Sequence, residues 1–246
     1  MNDRPWLAVD TSGERASVAL GTADHLLAQE VVEGTRRHAA ELLPALDRAL
    51  AVAAVSLEEV AGALLTDGPG SFTGLRIGAS VVKALAHVRG WPVHTAPSLL
   101  VMAWQAHEAC RREGNDEAAT VLAVADALRG EVYAGAYRFP QGRAEEVAAP
   151  AVLPLAALPG FVPQARVIAT GLPLPDHAAA GRWVWGPPMA LPLAATLLRL
   201  HGLQGGTRRV EAIEEWEPEY GRPAEAQAKW EAAHGRRLPD SAGTTR

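Results

Sequence analysis

The chain has 246 residues, 48% hydrophobic and 21% charged, with a formal net charge of −5. That is enough for one large domain or two lobes, and the acidic balance supplies no bulk basic field to hold nucleic acid unaided. A single cysteine, Cys110, excludes an internal disulfide and a cysteine metal cluster, which fits a reducing cytoplasm. No uncharged apolar run reaches the roughly 18 residues of a spanning helix, and the first apolar run is too short for an export signal. A cytoplasmic protein without a membrane partner is expected.

In chain order, Trp6-Leu7-Ala8-Val9 reads as a buried strand ending in the turn cluster Asp10-Thr11-Ser12-Gly13-Glu14. Ala16 to Gly21 and His25 to Glu33 complete an antiparallel meander. Arg36 to Ala54 is helical by spacing, with Pro44 inside it. Ser56-Leu57-Glu58-Glu59 resembles a short helix start. A strand at 62–66 leads into Asp67-Gly68-Pro69-Gly70-Ser71-Phe72-Thr73-Gly74-Leu75-Arg76 and then a helix to Arg89. Trp91 to Thr95 predicts a strand, Ser98 to Arg112 a second amphipathic helix, and Thr120 to Ala125 and Val132 to Phe139 two more strands. Arg143 to Pro154, Arg166 to Thr170 and Trp183 to Trp185 read as strands. A short helix is expected near Leu155 to Leu158 and a longer one over Leu191 to His201, stopped by Gly202. The last residues read as frayed.

The glycine-rich turn joins a strand to a helix, an arrangement that aims free N–H groups at whatever lies in front of it. Ser71 and Thr73 are its N-cap candidates. It lacks the lysine of a P-loop, the glycine spacing of a nucleophile elbow and that of the dinucleotide fingerprint. Close packing of small residues and a local anion or partner contact both remain open readings.

Ala8-Val9-Asp10-Thr11-Ser12-Gly13-Glu14 is echoed by Val124-Ala125-Asp126-Ala127-Leu128-Arg129-Gly130-Glu131, with the aspartates 116 positions apart (126 − 10), close to half the chain. An internal duplication accounts for both the echo and the length. Each aspartate could orient a metal or phosphate, or only accept N–H bonds within its own turn. The hydroxyl run Thr11-Ser12-Gly13 suits a phosphate; Ala127-Leu128-Arg129 does not. None of the eight histidines forms His-Glu-x-x-His or an i, i+4 pair.

Val9-Asp10-Thr11-Ser12, Arg37-His38, Gly68-Pro69-Gly70-Ser71-Phe72-Thr73-Gly74-Leu75-Arg76-Ile77-Gly78 and Asp126-Ala127-Leu128-Arg129-Gly130-Glu131-Val132-Tyr133 together resemble the TsaB (YeaZ) family over about residues 5 to 200. Pro218-Glu219-Tyr220 is similar to that family's C-terminal Pro-x-Tyr. The resemblance implies the α/β actin/Hsp70/sugar-kinase (ASKHA) fold of two related lobes. It divides the chain into an N-terminal lobe at 1–97, a C-terminal lobe at 98–205, and a segment at 206–246 that packs on the N-lobe and ends in disorder. It also implies a non-catalytic scaffold that binds the catalytic subunit TsaD in making threonylcarbamoyladenosine on tRNA. TsaD carries His-x-x-x-His on the corresponding helix. Here the stretch reads His38-Ala39-Ala40-Glu41-Leu42, and leucine offers no lone pair, so no metal and no catalytic residue are expected.

The implied partners are TsaD and the ATPase TsaE, with a homodimer when alone and tRNA only within the complex. Arg36-Arg37 and Arg208-Arg209 are candidate phosphate contacts there. The implied partner surface comprises Arg37, His38, Glu41, Leu42, Ala45 and Ala49 on the first long helix, and Phe72, Thr73, Ile77 and Val81 on the second. Leu42, Ala45, Leu46 and Ala49 make one stripe, with Leu43 and Leu50 beside it. Asp10, Thr11 and Ser12 are the weaker nucleotide or phosphate candidates. Gly171-Leu172-Pro173-Leu174 has one glycine where nucleotide-binding relatives have more, so no cofactor is expected to bind tightly; ATP or ADP is expected, if anywhere, at the partner interface. The alternative is an enzyme of the same fold, a small-molecule kinase or an M22-type metallopeptidase.

Overall fold

Strand β1 (Trp6–Asp10) pairs antiparallel with β2 (Arg15–Gly21), and β2 with β3 (Leu26–Glu33), so the meander forms as the alternation predicts. The structure is a computed structural model that describes residues 4–34, 37–114, 119–186 and 189–221. Helix α1 (His38–Ala53) returns the chain to β4 (Ala63–Thr66), which lies parallel to β1. Helix α2 (Phe72–Arg89) then leads to β5 (Val93–Ala96), parallel to β4. Ser71 caps α2, its hydroxyl accepting from the Gly74 N–H at 3.2 Å. Ser56 to Glu59 forms no helix: the Glu59 carboxylate takes both the Ser56 N–H and hydroxyl, satisfying a single turn with no helix to follow.

The second half repeats the plan. After α3 (Ser98–Arg112) come β6 (Val121–Asp126), β7 (Glu131–Arg138) and β8 (Glu145–Pro154), again an antiparallel meander. A 3-10 turn at Leu155–Ala157, the one-turn helix α4 (Leu158–Phe161), β9 (Val167–Thr170), the one-turn helix α5 (Asp176–Ala179) and β10 (Trp183–Trp185) follow. Helix α6 (Ala194–His201) precedes β11 (Arg208–Arg209), which crosses back to pair with β5. The sheets run β11-β5-β4-β1-β2-β3 and β10-β9-β6-β7-β8. From β3 to β5 and from β8 to β10 the order and strand directions coincide. This is the two-lobed ASKHA architecture.

Side chains alternate across each sheet. Leu7 and Val9 enter the core under α1 and α2, whereas Ala8 faces the layer that holds α3 and α6. Likewise Val121 and Ala123 face that middle layer, and Leu122 and Val124 the outer face of the second sheet. Helix α6 packs on β1, β2 and β4, α3 on β6, β7 and β9, and the two helices touch. One apolar core therefore runs from Ala8, Ala19 and Leu64 through both helices to Val121 and Val167, fusing the two sheets across the middle layer.

Candidate functional site

The end of β1 is an enclosed polar spot. Asp10 is fully buried, and its Oδ1 accepts from Thr66 Oγ1 (2.5 Å), Ser12 Oγ (2.7 Å) and the Ser12 N–H (3.3 Å). Burial pushes this carboxyl above its ordinary value, against the lowering effect of the Thr66 and Ser12 bonds. Asp10 Oδ2 and Thr11 Oγ1 are buried without a hydrogen-bond partner among the described residues. The Ser12 carbonyl accepts from the Ser71 N–H at 2.8 Å. A Cβ on Gly70 would overlap that same carbonyl, and one on Gly74 would overlap the carbonyl of Thr11. The glycines of the loop thus let the start of α2 press onto the β1–β2 turn.

That contact bears on the two readings of the turn. A phosphate-binding turn must present free N–H groups to open space. Here the Thr11 and Ser12 backbone is packed against the chain's own loop, and both residues are buried. The loop covers the Thr11–Ser12 side of the turn, while Gly13 is half-buried and Glu14 exposed.

Asp126 occupies the equivalent turn. Its Oδ1 accepts the Leu128 N–H at 2.7 Å, as Asp10 accepts that of Ser12, but Asp126 is exposed. The extra residue read in the second copy is accommodated in a turn with Leu128, Arg129 and Gly130 all at positive φ.

His38 heads α1 and is 1% exposed, with Nε2 3.2 Å from the Glu14 carbonyl oxygen. Leu42, one turn later, is core. These positions do not fit a metal held by paired imidazoles, and no group of three His, Cys, Asp or Glu among the described residues could hold one.

The expected partner surface needs correction on α1. His38, Leu42, Ala45 and Ala49 are buried against the chain's own sheet, so they are core rather than surface. The physical reason is phase: α1 lies on β2 and β3, and the stripe holding Leu42, Ala45, Leu46 and Ala49 is the one turned onto them. The two flanks of that stripe are left outside, with Leu43 50% exposed on one and Val52 67% exposed on the other. Arg37 is exposed and paired with Glu41 at 3.3 Å. On α2, Thr73 is exposed and Phe72, Ile77 and Val81 are half-buried, while Val88 is 78% exposed.

A second buried acid lies at the mouth of the glycine-rich loop. Asp67 is 1% exposed, and its Oδ2 accepts from Arg208 Nη2 at 2.7 Å. The same Nη2 donates to Glu219 Oε1 at 2.6 Å, and Arg208 Nε donates to Thr95 Oγ1 at 3.3 Å. Burial raises the Asp67 carboxyl above its ordinary value despite the guanidinium beside it. Arg208 is therefore committed to carboxylates rather than free for phosphate, and Arg36 lies outside the described residues. Asp67, Arg208 and Glu219 formed no cluster in the sequence because 141 positions separate Asp67 from Arg208. The only local hint was Pro218-Glu219-Tyr220.

These features define a two-lobed ASKHA protein whose first-lobe turn is pressed on its Thr11–Ser12 side by its own loop and which carries two long helices on its outer face. Residues 26–177 match the family model of TsaD, tRNA N6-adenosine threonylcarbamoyltransferase. The chain is 29% identical over 141 residues to the tRNA threonylcarbamoyladenosine biosynthesis protein TsaB of Bacillus subtilis, covering 57% of this chain and 58% of that one. It is 38% identical over 136 residues to TsaB of Haemophilus influenzae, covering 54% and 53%. The matched stretch thus spans little more than half the length of these curated relatives. A solved structure from Pseudomonas aeruginosa, an uncharacterized protein with similarity to peptidase YeaZ, superposes with a TM-score of 0.66 at 31% identity, covering 89% of this chain and 99% of that one. The chain belongs to the TsaB (YeaZ) family.

Proposed function

We propose that this chain serves threonylcarbamoyladenosine synthesis on tRNA as a non-catalytic subunit that binds a TsaD-type catalytic partner. The observation that carries this reading is the apolar surface left on α1 and α2 once their inner stripes have covered the sheet. Leu43 of α1 and Val88 of α2 are exposed there, with half-buried Ile77 and Val81 on the same side of α2 as Val88. Exposed apolar surface of this kind marks protein contacts. The same face, with Arg37, Glu41, Phe72 and Thr73 at its rim, takes a second copy when the partner is absent. TsaE and tRNA join only through the assembled complex.

A non-catalytic role is supported by the β1–β2 turn, whose Thr11–Ser12 side is covered by the chain's own loop, and by the continuous core that fuses the two sheets. An ATP or ADP molecule in the complex would belong to the partner interface rather than to Asp10, Thr11 and Ser12. No helix among the described residues is long and apolar enough to cross a membrane, and the tRNA-modifying role proposed here would be served in the cytoplasm.

Sedimentation of the wild type and Leu43→Glu, each alone and with TsaD encoded by the same genome, tests the reading. The wild type should associate and the variant should not, with equal melting temperatures. A variant that still binds TsaD as the wild type does would move the interface elsewhere.

A further inference from the structure

The segment after β11 is fastened along the first half at successive points. Val210, Ile213 and Trp216 pack on the core beneath α1 and α2. Lys83 Nζ, on α2, lies 3.4 Å from Glu217 Oε1 and 5.8 Å from the centre of the Trp216 ring. Pro218 is buried, and the Glu219 N–H donates to the Asp67 carbonyl at 2.7 Å. The Glu219 carbonyl occupies the space a Cβ on Gly68 would need, where φ is +108°. Tyr220 ends the run. Its ring lies 4.5 Å from that of Phe72, and its hydroxyl accepts from Arg76 Nε at 3.2 Å and donates to Glu217 Oε2 at 3.1 Å. Its carbonyl accepts from Tyr133 Oη, on β7 of the second half, at 3.3 Å.

The ionic catch of this run is asymmetric. Asp67 is buried, whereas the side chains of Arg208 and Glu219 are 55% and 61% exposed. Removing the guanidinium would leave a buried carboxylate unpaired, which is far costlier than losing a surface pair. Asp67 is followed directly by the loop that caps α2 through Ser71, and Phe72 and Arg76 form the first turn of that helix. Arg76 is stacked over Phe72, 4.2 Å from the ring centre, and both also touch Tyr220, so neither side chain is positioned by α2 alone.

We propose that residues 217–221 are a latch, with Arg208 as its catch between Asp67 and Glu219, and that the closed latch sets the first turn of α2 for partner docking. This rests on the reading of α2 as partner surface. Arg208 and Tyr220 act as positioning residues: they touch the loop and Phe72, and through them shape the face that the partner meets. The latch closes on the Gly68–Ser71 loop from outside, as the β1–β2 turn does from inside, so the loop is held on both sides.

Two variants test it by hydrogen exchange and by titration with TsaD. Tyr220→Ala removes the stacking without exposing a buried charge. Asp67→Asn/Arg208→Met removes the catch together with the charge it neutralises, so that loss of folding is not the readout. Both should speed exchange at the amides of Glu219, Gly74 and Leu75 and weaken TsaD binding about tenfold, while melting stays near the wild type. Fast exchange at Glu219 with Gly74 and Leu75 unchanged would overturn the coupling, as would unchanged TsaD affinity in a variant whose α2 start has loosened. If the wild type itself does not bind TsaD, the partner reading fails, and the latch is judged on the exchange at Gly74 and Leu75 alone.

Discussion

The two halves share one strand order and one turn geometry but differ in what lies outside the sheet. In the first half the crossovers carry helices of 16 and 18 residues; in the second they carry helices of four residues each. The aspartate turns diverge in parallel: Asp10 is sealed under the glycine-rich loop, and Asp126 faces solvent. A duplicated fold thus keeps its hydrogen-bonded frame, because strand order cannot change piecemeal, while the outer helices are free to lengthen or shrink. Among the described residues, it is the long helices of the first half that leave large apolar side chains exposed, at Leu43, Val52 and Val88, and the partner contact is proposed there.

The largest expected effect comes from charging the inner stripe. Ala45→Glu places an unpaired carboxylate at a fully buried position, and should cost on the order of 3–5 kcal/mol in urea unfolding. Leu43→Glu, one stripe over, should leave the midpoint unchanged. Equal losses from both would mean that α1 has no free face.

Next is the loop contact peculiar to the first half. Gly74→Ala drives a methyl into the Thr11 carbonyl and should cost about 1–3 kcal/mol. Gly160→Ala, in α4 of the second half, has open space and should be nearly neutral by the same measurement. Ser71→Ala, which deletes the α2 cap, should cost about 1 kcal/mol.

The sealed aspartate of the first half gives a pH test. Folding raises the Asp10 carboxyl above its unfolded value, so the folded state holds that proton more tightly. Its contribution is most favourable at low pH and is lost as pH rises through the raised value. Asp10→Asn should flatten that decline in urea unfolding repeated across pH. An unchanged curve would mean that the buried Asp10 carboxyl does not carry it.

The smallest effect belongs to the middle layer. His201, at the end of α6, lies 4.8 Å from His94 and 4.3 Å from Trp6, ring centre to ring centre. Burial, with His94 adding to it, lowers the His201 imidazole to about 4. The unfolded chain therefore takes the proton first, and stability falls as pH drops from the ordinary histidine range toward about 4. His201→Gln should shallow that slope in thermal melts followed by circular dichroism.

Much of the frame was legible in residue order. Apolar runs ending in Asp10 and Asp126 announced matching strands, and the near-half-chain spacing pointed to two copies of one fold. Ser71 was readable as a cap because a short oxygen before a helix has one local job. The assignment of α1 was not legible in the same way. Leu42 and Leu43 are chemically identical, and both begin apolar stripes, so hydrophobicity alone cannot say which one the sheet claims. The sequence reading put Ala45 and Ala49 on the partner side, and the packing reversed it.

Local chemistry also determined that His38 stands without a second imidazole, since Leu42 carries no donor whatever the fold. Strand alternation, the meanders and the helix caps likewise rest on contacts within a few residues, and these survive translation from sequence to structure. What only the tertiary structure decided are relations between distant segments: which stripe of α1 meets β2 and β3, the pressing of Gly70 and Gly74 onto Thr11 and Ser12, and the meeting of Asp67 with Arg208 and Glu219. Each depends on the free energy of burying one surface rather than another, and that choice is made by the whole packed molecule, where a neighbour in space has no fixed distance along the chain.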